Sequence, residues 1–243
     1  MIQGKFQTAL GVIFPPRCVG CGGMVASDFG LCGACWGKTP FIVGLACTFC
    51  GLPLPGRSQG GPVSCDDCLA APRPWAAGRA VMLYRDAGRQ MVMSLKHGGR
   101  IDVALMAAQW MERAGKPLFQ ENMLIAPVPL HWTRLFTRTF NQSAALAQAL
   151  AKRTGYAMCP DLLLRGKRTQ PLEHKTVADR FGLLEGAMVI NPRRRHRIAG
   201  RPVLLIDDVM TSGATLSAAT HACQDAGCRD VFVLTLARVA KDV

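Results

Sequence analysis

The sequence predicts an α/β fold with a parallel sheet, preceded by a cysteine-rich metal module. Residues 203–206 form an apolar run, followed by two acids, a turn of small and hydroxyl residues, a helical stretch and a second apolar run, 231–236. A strand, a helix and a strand in this order make a right-handed crossover in a parallel sheet. Upstream, eight of the eleven cysteines form four CxxC pairs within residues 18–68.

The composition is that of a folded chain with room for two units. Hydrophobic residues make up 49% of the 243 residues and charged residues 19%, which disfavours disorder over most of the chain. Pro72 and Pro74 indicate a linker, so we predict a metal module over 1–72 and an α/β domain over 73–243. The formal net charge of +13 favours anionic partners such as phosphate esters, nucleic acid or acidic membranes.

The four CxxC pairs predict two structural zinc ions. Each CxxC turn presents two thiolates on one side of a tight loop, and two turns complete a tetrahedral four-cysteine site. Neighbouring pairs could share an ion, or the first pair could join the third and the second the fourth. Disulfides or a redox pair are the alternative. The pairs are Cys18 with Cys21, Cys32 with Cys35, Cys47 with Cys50, and Cys65 with Cys68.

The expected compartment is the cytoplasm, where these thiols stay reduced. The apolar stretch 9–14 ends at Pro15 and Pro16 without a small-residue cleavage site, so it does not resemble a signal peptide. No apolar run approaches the roughly 18 residues that cross a bilayer, and no membrane span is expected. Nothing in the sequence indicates an oligomeric state.

The α/β domain shows alternating strand and helix patterns. Strands are predicted at 79–84 and 123–129, and helices at 90–95, at 101–114 and from an Asn141 cap to Gly155. Short strands at 162–164 and 187–190 flank a basic segment, 165–182, that is predicted to be a long mobile loop. The last three elements are a strand at 203–206, a helix at 214–226 and a strand at 231–236.

The segment after the 203–206 strand is predicted to bind a phosphorylated sugar. Small residues at a helix start let the backbone N–H groups of 211–215 close around a phosphate, and the hydroxyls of Thr211, Ser212 and Thr215 add donors. Asp207 and Asp208 are placed to reach vicinal sugar hydroxyls or a magnesium shell. The turn lacks the lysine of a Walker loop, which disfavours a nucleoside triphosphatase. Simple helix capping is the alternative.

Residues 203–215 resemble the phosphoribosyl diphosphate (PRPP) signature of type I phosphoribosyltransferases. Together with the four CxxC pairs and the stretches 95–100, 127–130 and 138–142, they make the chain similar to the ComF family of double-zinc-ribbon proteins. The resemblance implies a phosphoribosyltransferase-like parallel sheet flanked by helices, and it implies PRPP with Mg²⁺ as ligands. Thr139 stands where the family usually has Gly, and Leu183 where Asn is expected.

The same resemblance implies roles for individual residues. Asp207 and Asp208 are the implied catalytic pair, which holds the ribose. The turn at 127–130 lies beside the pyrophosphate, Lys96 or Arg138 pairs with its charge, and the loop 165–182 closes over the site. The implied 5′-phosphate cradle is Thr211, Ser212, Gly213, Ala214 and Thr215.

Two functions follow as hypotheses. The first is an enzyme that transfers a phosphoribosyl group from PRPP to a nitrogen acceptor and releases pyrophosphate; the acceptor is not indicated. The alternative is a non-catalytic protein that handles single-stranded DNA during DNA uptake, as the resemblance implies. The net charge and the basic run 192–197 favour this alternative, whereas the four dispersed tryptophans show no stacking platform.

Overall fold

The centre of the molecule is a five-stranded sheet in which every pairing is parallel. The structure is a computed structural model that describes residues 15–26, 30–57, 60–97, 100–130, 141–165 and 188–240. The strand order is β1-β7-β6-β2-β3. These strands are β1 (Ala77–Leu83), β2 (Leu124–Pro127), β3 (Ala157–Met158), β6 (Val203–Met210) and β7 (Val231–Arg238). β4 (Leu163–Arg165) and β5 (Met188–Ile190) form a separate antiparallel pair.

Helices cover both faces of this sheet. One core joins Leu204 and Ile206 of β6 to apolar side chains of α3 (Asp86–His97), α4 (Ile101–Gly115) and α5 (Gln142–Thr154). The other core joins Leu205 of β6 to α6 (Ala214–Asp225). Since strand side chains alternate between faces, Leu204 and Leu205 belong to opposite cores, which is why 203–206 is apolar at every position.

The order of the strands creates a crevice between β2 and β6. From β2 the chain passes through α5 to β3 on one side, whereas from β6 it passes through α6 to β7 on the other side. Ligands of open α/β sheets bind where connections diverge in this way, at the carboxyl ends of the strands. The Asp207–Asp208 pair lies at this end of β6, so the topology brings it to the crevice.

The predicted parallel α/β fold is confirmed, with differences at its edges. β6 runs to Met210, so both acids belong to the strand; its pairing with β7 continues through Asp207 and Val209. The two-residue strand β3 was missed, because it is too short to show a period. The segment 71–75, predicted to be a linker, is exposed at Ala71 and Pro72 but ends in the core, since Trp75 is only 2% exposed.

The cysteine-rich module contains two short helices, α1 (Gly33–Lys38) and α2 (Asp66–Ala70). It meets the sheet at β1, where the Gly78 N–H donates to the Thr48 carbonyl at 2.8 Å and the Ile42 N–H donates to that of Val81 at 2.9 Å. Gly51 (φ +72°) touches β1 so closely that an added Cβ would lie 2.5 Å from the Ala80 nitrogen. Among the described residues, no helix combines the length and apolar character that crossing a membrane requires.

Candidate functional site

The two acids at the end of β6 differ in their surroundings. The Ser143 hydroxyl, in the first turn of α5, donates a hydrogen bond to Asp207 Oδ1 at 2.8 Å. The Asp208 backbone N–H donates to the same oxygen at 2.9 Å. Asp208 instead faces α3, where its Oδ2 lies 3.1 Å from Lys96 Nζ. Two helices distant from β6 in sequence, α3 and α5, therefore converge on this pair.

Asp207 is held in an environment that opposes its negative charge. Burial, followed by repulsion from Asp208, raises the pKa of Asp207 to about 7, although the Ser143 hydrogen bond acts in the opposite direction. A carboxylate placed at such a cost is typical of a functional site rather than of a structural ion pair. A bound cation or a donating sugar hydroxyl would favour its ionised form.

The predicted phosphate turn lies between β6 and the start of α6. Gly213 has φ +84° and directly precedes α6, whose first N–H groups have no partners within the helix. The positive φ favours glycine at position 213, and an added Cβ would also crowd the Trp75 ring at 3.1 Å and Arg73 Nη1 at 3.3 Å. The Ser212 hydroxyl accepts from the Ala214 N–H at 3.4 Å.

The opposite wall of the crevice is the turn that follows β2. The Val128 N–H donates to the Ile206 carbonyl at 2.9 Å, which ties the turn to β6. The Asn141 side chain donates to the Val128 carbonyl at 3.3 Å and also caps α5 through the Ala144 N–H. The turn 127–130 thus begins next to the end of β2, beside β6. Arg138 and most of the loop 165–182 lie outside the described residues.

Both four-cysteine clusters form, and each joins neighbouring CxxC pairs. The four Sγ atoms of each cluster lie within 4.8 Å of one another. The Sγ atoms of Cys21 and Cys32 are 3.7 Å apart and those of Cys50 and Cys65 are 3.6 Å apart. Tetrahedral Zn–S bonds of about 2.3 Å put sulfurs about 3.8 Å apart, so the clusters fit zinc. They are Cys18, Cys21, Cys32 and Cys35 (the first cluster) and Cys47, Cys50, Cys65 and Cys68 (the second cluster).

The two clusters differ in how deeply they lie. The first cluster is near the surface, with Cys21 exposed. All four cysteines of the second cluster are buried, in the same core as Trp75, Leu205 and Val233. The second cluster is therefore part of the packing on one face of the sheet, whereas the first cluster is peripheral.

Three residues of the site carried no recognised signal in the sequence. Ser143 lies two residues after the Asn141 cap, so a hydroxyl in the first turn of a helix was the one available clue. Arg73 Nη1 donates to the Ser212 carbonyl at 2.7 Å. Arg238 Nη1 donates to the Thr211 carbonyl at 2.6 Å. Both arginines are remote from the turn in sequence, and nothing local predicts that they hold it.

Comparison with known proteins identifies the relatives of this chain. Residues 9–69 match the family model described as a double zinc ribbon domain. The DNA utilization protein YhgH of Salmonella typhi is 29% identical over 223 residues, which cover 88% of this chain and 93% of the relative. Competence protein F of Haemophilus influenzae is 25% identical over 228 residues, 91% of this chain and 96% of the relative. The chain is thus similar over most of its length to proteins named for DNA utilization and competence. It is also 23% identical to competence protein ComFC of Bacillus subtilis, over 84% of the chain and 82% of the relative.

Solved structures also resemble part of this chain. The protein TT1426 from Thermus thermophilus matches 58% of the chain and 85% of its own length, with a TM-score of 0.36 and 18% identity. A hypoxanthine phosphoribosyltransferase from Trypanosoma cruzi matches 62% of the chain and 65% of its own length, with a TM-score of 0.33 and 14% identity. Since both TM-scores are below 0.5, the fold assignment depends on the parallel sheet and its crevice.

Proposed function

We propose that this protein binds PRPP, or a similar ribose phosphate, together with Mg²⁺ at the carboxyl ends of β2 and β6. The observation that carries the proposal is the convergence of Asp207, Asp208 and Lys96 just before the turn 211–215, at the sheet's switch point. Asp207 and Asp208 would hold the ribose hydroxyls or the magnesium shell. The N–H groups and hydroxyls of 211–215 would bind the 5′-phosphate, and Lys96 and Arg138 the pyrophosphate. The reduced thiolates of the two zinc clusters suit the cytoplasm, where we place this activity.

The enzymatic form of the proposal is transfer of the phosphoribosyl group to a nitrogen acceptor. The bond from the sugar C1 to the pyrophosphate oxygen breaks, a bond from C1 to nitrogen forms, and pyrophosphate leaves with the electron pair. Mg²⁺ would neutralise charge on the departing group. The residues of the crevice act mainly by positioning the sugar and by stabilising the developing charge. Lys96 would stabilise this charge when its ammonium group leaves Asp208 and pairs with the pyrophosphate.

Calorimetry with PRPP and Mg²⁺, followed by an assay for pyrophosphate over a panel of amines and bases, tests the proposal. We expect saturable binding of one PRPP per chain, because one crevice carries both the acids and the turn. Pyrophosphate release with one acceptor would establish the enzyme, and binding without release would favour a binding protein. Absence of PRPP binding by the zinc-loaded chain would reject the proposal in both forms.

The second candidate function is the handling of single-stranded DNA, which a basic surface far from the crevice favours. The run Pro192–Arg197 forms a 3₁₀ helix before β6, at the edge where the parallel strands begin. Arg195 donates to the Asp225 carbonyl at the end of α6, and Arg201 donates to the Asn122 carbonyl before β2. Arg194 is paired with Asp161 at 3.0 Å, whereas Arg193 and Arg195 are exposed. The names of the relatives refer to DNA utilization and competence.

A polyanion on this surface would not compete with a sugar phosphate in the crevice, because the two lie at opposite edges of the sheet. Arg193→Gln with Arg195→Gln should weaken the binding of single-stranded DNA at low salt. A plot of the logarithm of the association constant against the logarithm of the salt concentration should become less steep by about 1.4. The matched control is Arg85→Gln with Arg89→Gln, which removes two exposed charges elsewhere. Gel shifts at several salt concentrations measure both. If both double variants lose the same affinity for single-stranded DNA, net charge alone governs the binding. The surface around Arg193 and Arg195 would then not be the DNA-binding site.

A further inference from the structure

The carbonyl side of the phosphate turn is held by two arginines, one of which also contacts the second cluster. Arg73 Nη1 donates to the Ser212 carbonyl at 2.7 Å, and its Nε donates to Cys68 Sγ at 3.4 Å. Arg238 Nη1 donates to the carbonyls of Thr211 at 2.6 Å and Met210 at 3.3 Å. Arg238 is 3% exposed.

Electrostatics explains why an arginine lies beside the cluster. A zinc ion bound by four thiolates carries a formal charge of about −2, and all four ligands of the second cluster are buried. Such a charge is costly in a core unless cations or donors compensate it. Arg73 supplies a positive charge beside the cluster, and its rigid fork also presents an N–H group to the turn. The cluster and the turn therefore share this cation.

Because the peptide bond is planar, the hydrogen bonds from the two arginines to the carbonyls of the turn fix the direction of its N–H groups. In a planar trans peptide the C=O and the following N–H point in opposite directions. With the carbonyl of Thr211 on Arg238 and that of Ser212 on Arg73, the N–H groups of Ser212 and Gly213 must point away from the arginines. Consecutive N–H groups turned to one side form an anion-binding nest.

We propose that Arg73 is a positioning residue that connects the second zinc cluster to the phosphate turn and holds the N–H groups of 212–213 towards the anion. Arg238 holds the preceding peptide in the same way. Trp75 completes the support, since its ring lies 5.8 Å from the Arg73 guanidinium and its Nε1 donates to the Phe49 carbonyl at 2.6 Å. The binding role of the turn rests on the proposed function, whereas its ordering by Arg73 does not.

The test compares Arg73→Ala and Arg73→Lys with Arg79→Ala in the full zinc-loaded chain. Arg79 is the matched control, because its Nη1 holds the carbonyls of Thr48 and Gly78 beside the same cluster and does not touch the turn. Lysine keeps the charge but cannot span the sulfur and the carbonyl as a fork. Hydrogen exchange of a peptide covering 207–217, zinc per chain and PRPP affinity are measured for each.

Both Arg73 variants should keep two zinc ions per chain. The amides of the turn should exchange about tenfold faster in these variants, and PRPP should bind about tenfold more weakly. In Arg79→Ala the exchange rate of the turn should equal that of the wild type. If the amides of the turn exchange at the wild-type rate in Arg73→Lys, the inference is wrong. It is also wrong if Arg73→Lys loses zinc to the same extent as its turn loses protection from exchange, because the loss of the metal would then explain the faster exchange. Arg73→Lys decides the matter if Arg73→Ala does not fold. If the wild-type chain fails to bind PRPP, the proposed function is lost, but the exchange comparison still tests the role of Arg73.

Discussion

Replacing Asp207 and Asp208 together by Asn should lower PRPP affinity at least about 100-fold, because the sugar hydroxyls and the magnesium shell lose two anionic partners. A hydrogen bond to a charged group contributes about 1.5–3 kcal/mol, and two of them account for this loss. The substituted side chains fill the same volume, so the sheet and both clusters should remain. Calorimetry with PRPP and Mg²⁺ measures the affinity, and metal analysis should still find two zinc ions per chain.

The matched control for this variant is Asp225→Asn with Asp230→Asn. These two acids lie at the edge of the sheet where the strands begin, and their replacement changes the net charge by the same amount. PRPP affinity should be nearly unchanged in the control. If the two double variants lose affinity equally, charge rather than the crevice governs binding, and the assignment of Asp207 and Asp208 is wrong.

The single change Asp207→Asn should stabilise the unliganded chain above neutral pH. The pKa of Asp207 is raised to about 7, so between about pH 4 and that value the folded chain holds a proton that the unfolded chain has released. The free energy of unfolding contributed by this group therefore falls as the pH rises through the window. At pH 8 we expect Asn to add about 1–3 kcal/mol, and at pH 4 to add little. Denaturant titrations of both chains at pH 8 and pH 4 measure this difference in the free energy of unfolding. If Asn stabilises the chain more at pH 4 than at pH 8, the pKa of Asp207 is not raised.

Removing a ligand of the second cluster should unfold the chain, whereas removing one from the first cluster should not. The four cysteines of the second cluster lie in the core beside the sheet, so Cys47→Ser opens that core as it releases the ion. Structural zinc contributes about 10–16 kcal/mol in small domains, comparable with the whole stability of a typical protein. Cys21 is exposed, and Cys21→Ser should cost one zinc ion while the sheet stays folded.

Zinc per chain and thermal unfolding followed by circular dichroism distinguish these two outcomes. Cys47→Ser should give insoluble protein or a chain without a cooperative transition. Cys21→Ser should give one zinc ion per chain and, because the crevice is untouched, PRPP binding like that of the wild type. A folded Cys47→Ser chain with a normal transition would show that apolar packing alone supports this face of the sheet.

The local patterns of the sequence were sufficient for the elements but not for the contacts between them. The cap of α5 at Asn141 and its end at Gly155 (φ +76°) follow from residue chemistry within one turn of the helix, and both were predictable. Trp36, Phe41 and Trp110 are dispersed in the sequence, yet their rings pack with centroids 4.5–6.1 Å apart. No periodicity indicates such a cluster, because it depends on how α1 and α4 meet.

By itself, the sequence determined that this protein has two cysteine clusters and an acid pair followed by a phosphate turn. Both are encoded by spacing along a few consecutive residues, which the chain cannot rearrange. Only the tertiary structure decided which CxxC pairs share a cluster, that Lys96 meets Asp208, and that Arg73 reaches Ser212, 139 residues away. These contacts matter because the buried charges of the second cluster and of the acids are costly unless cations or hydrogen-bond donors lie beside them. The fold determines which residues lie there.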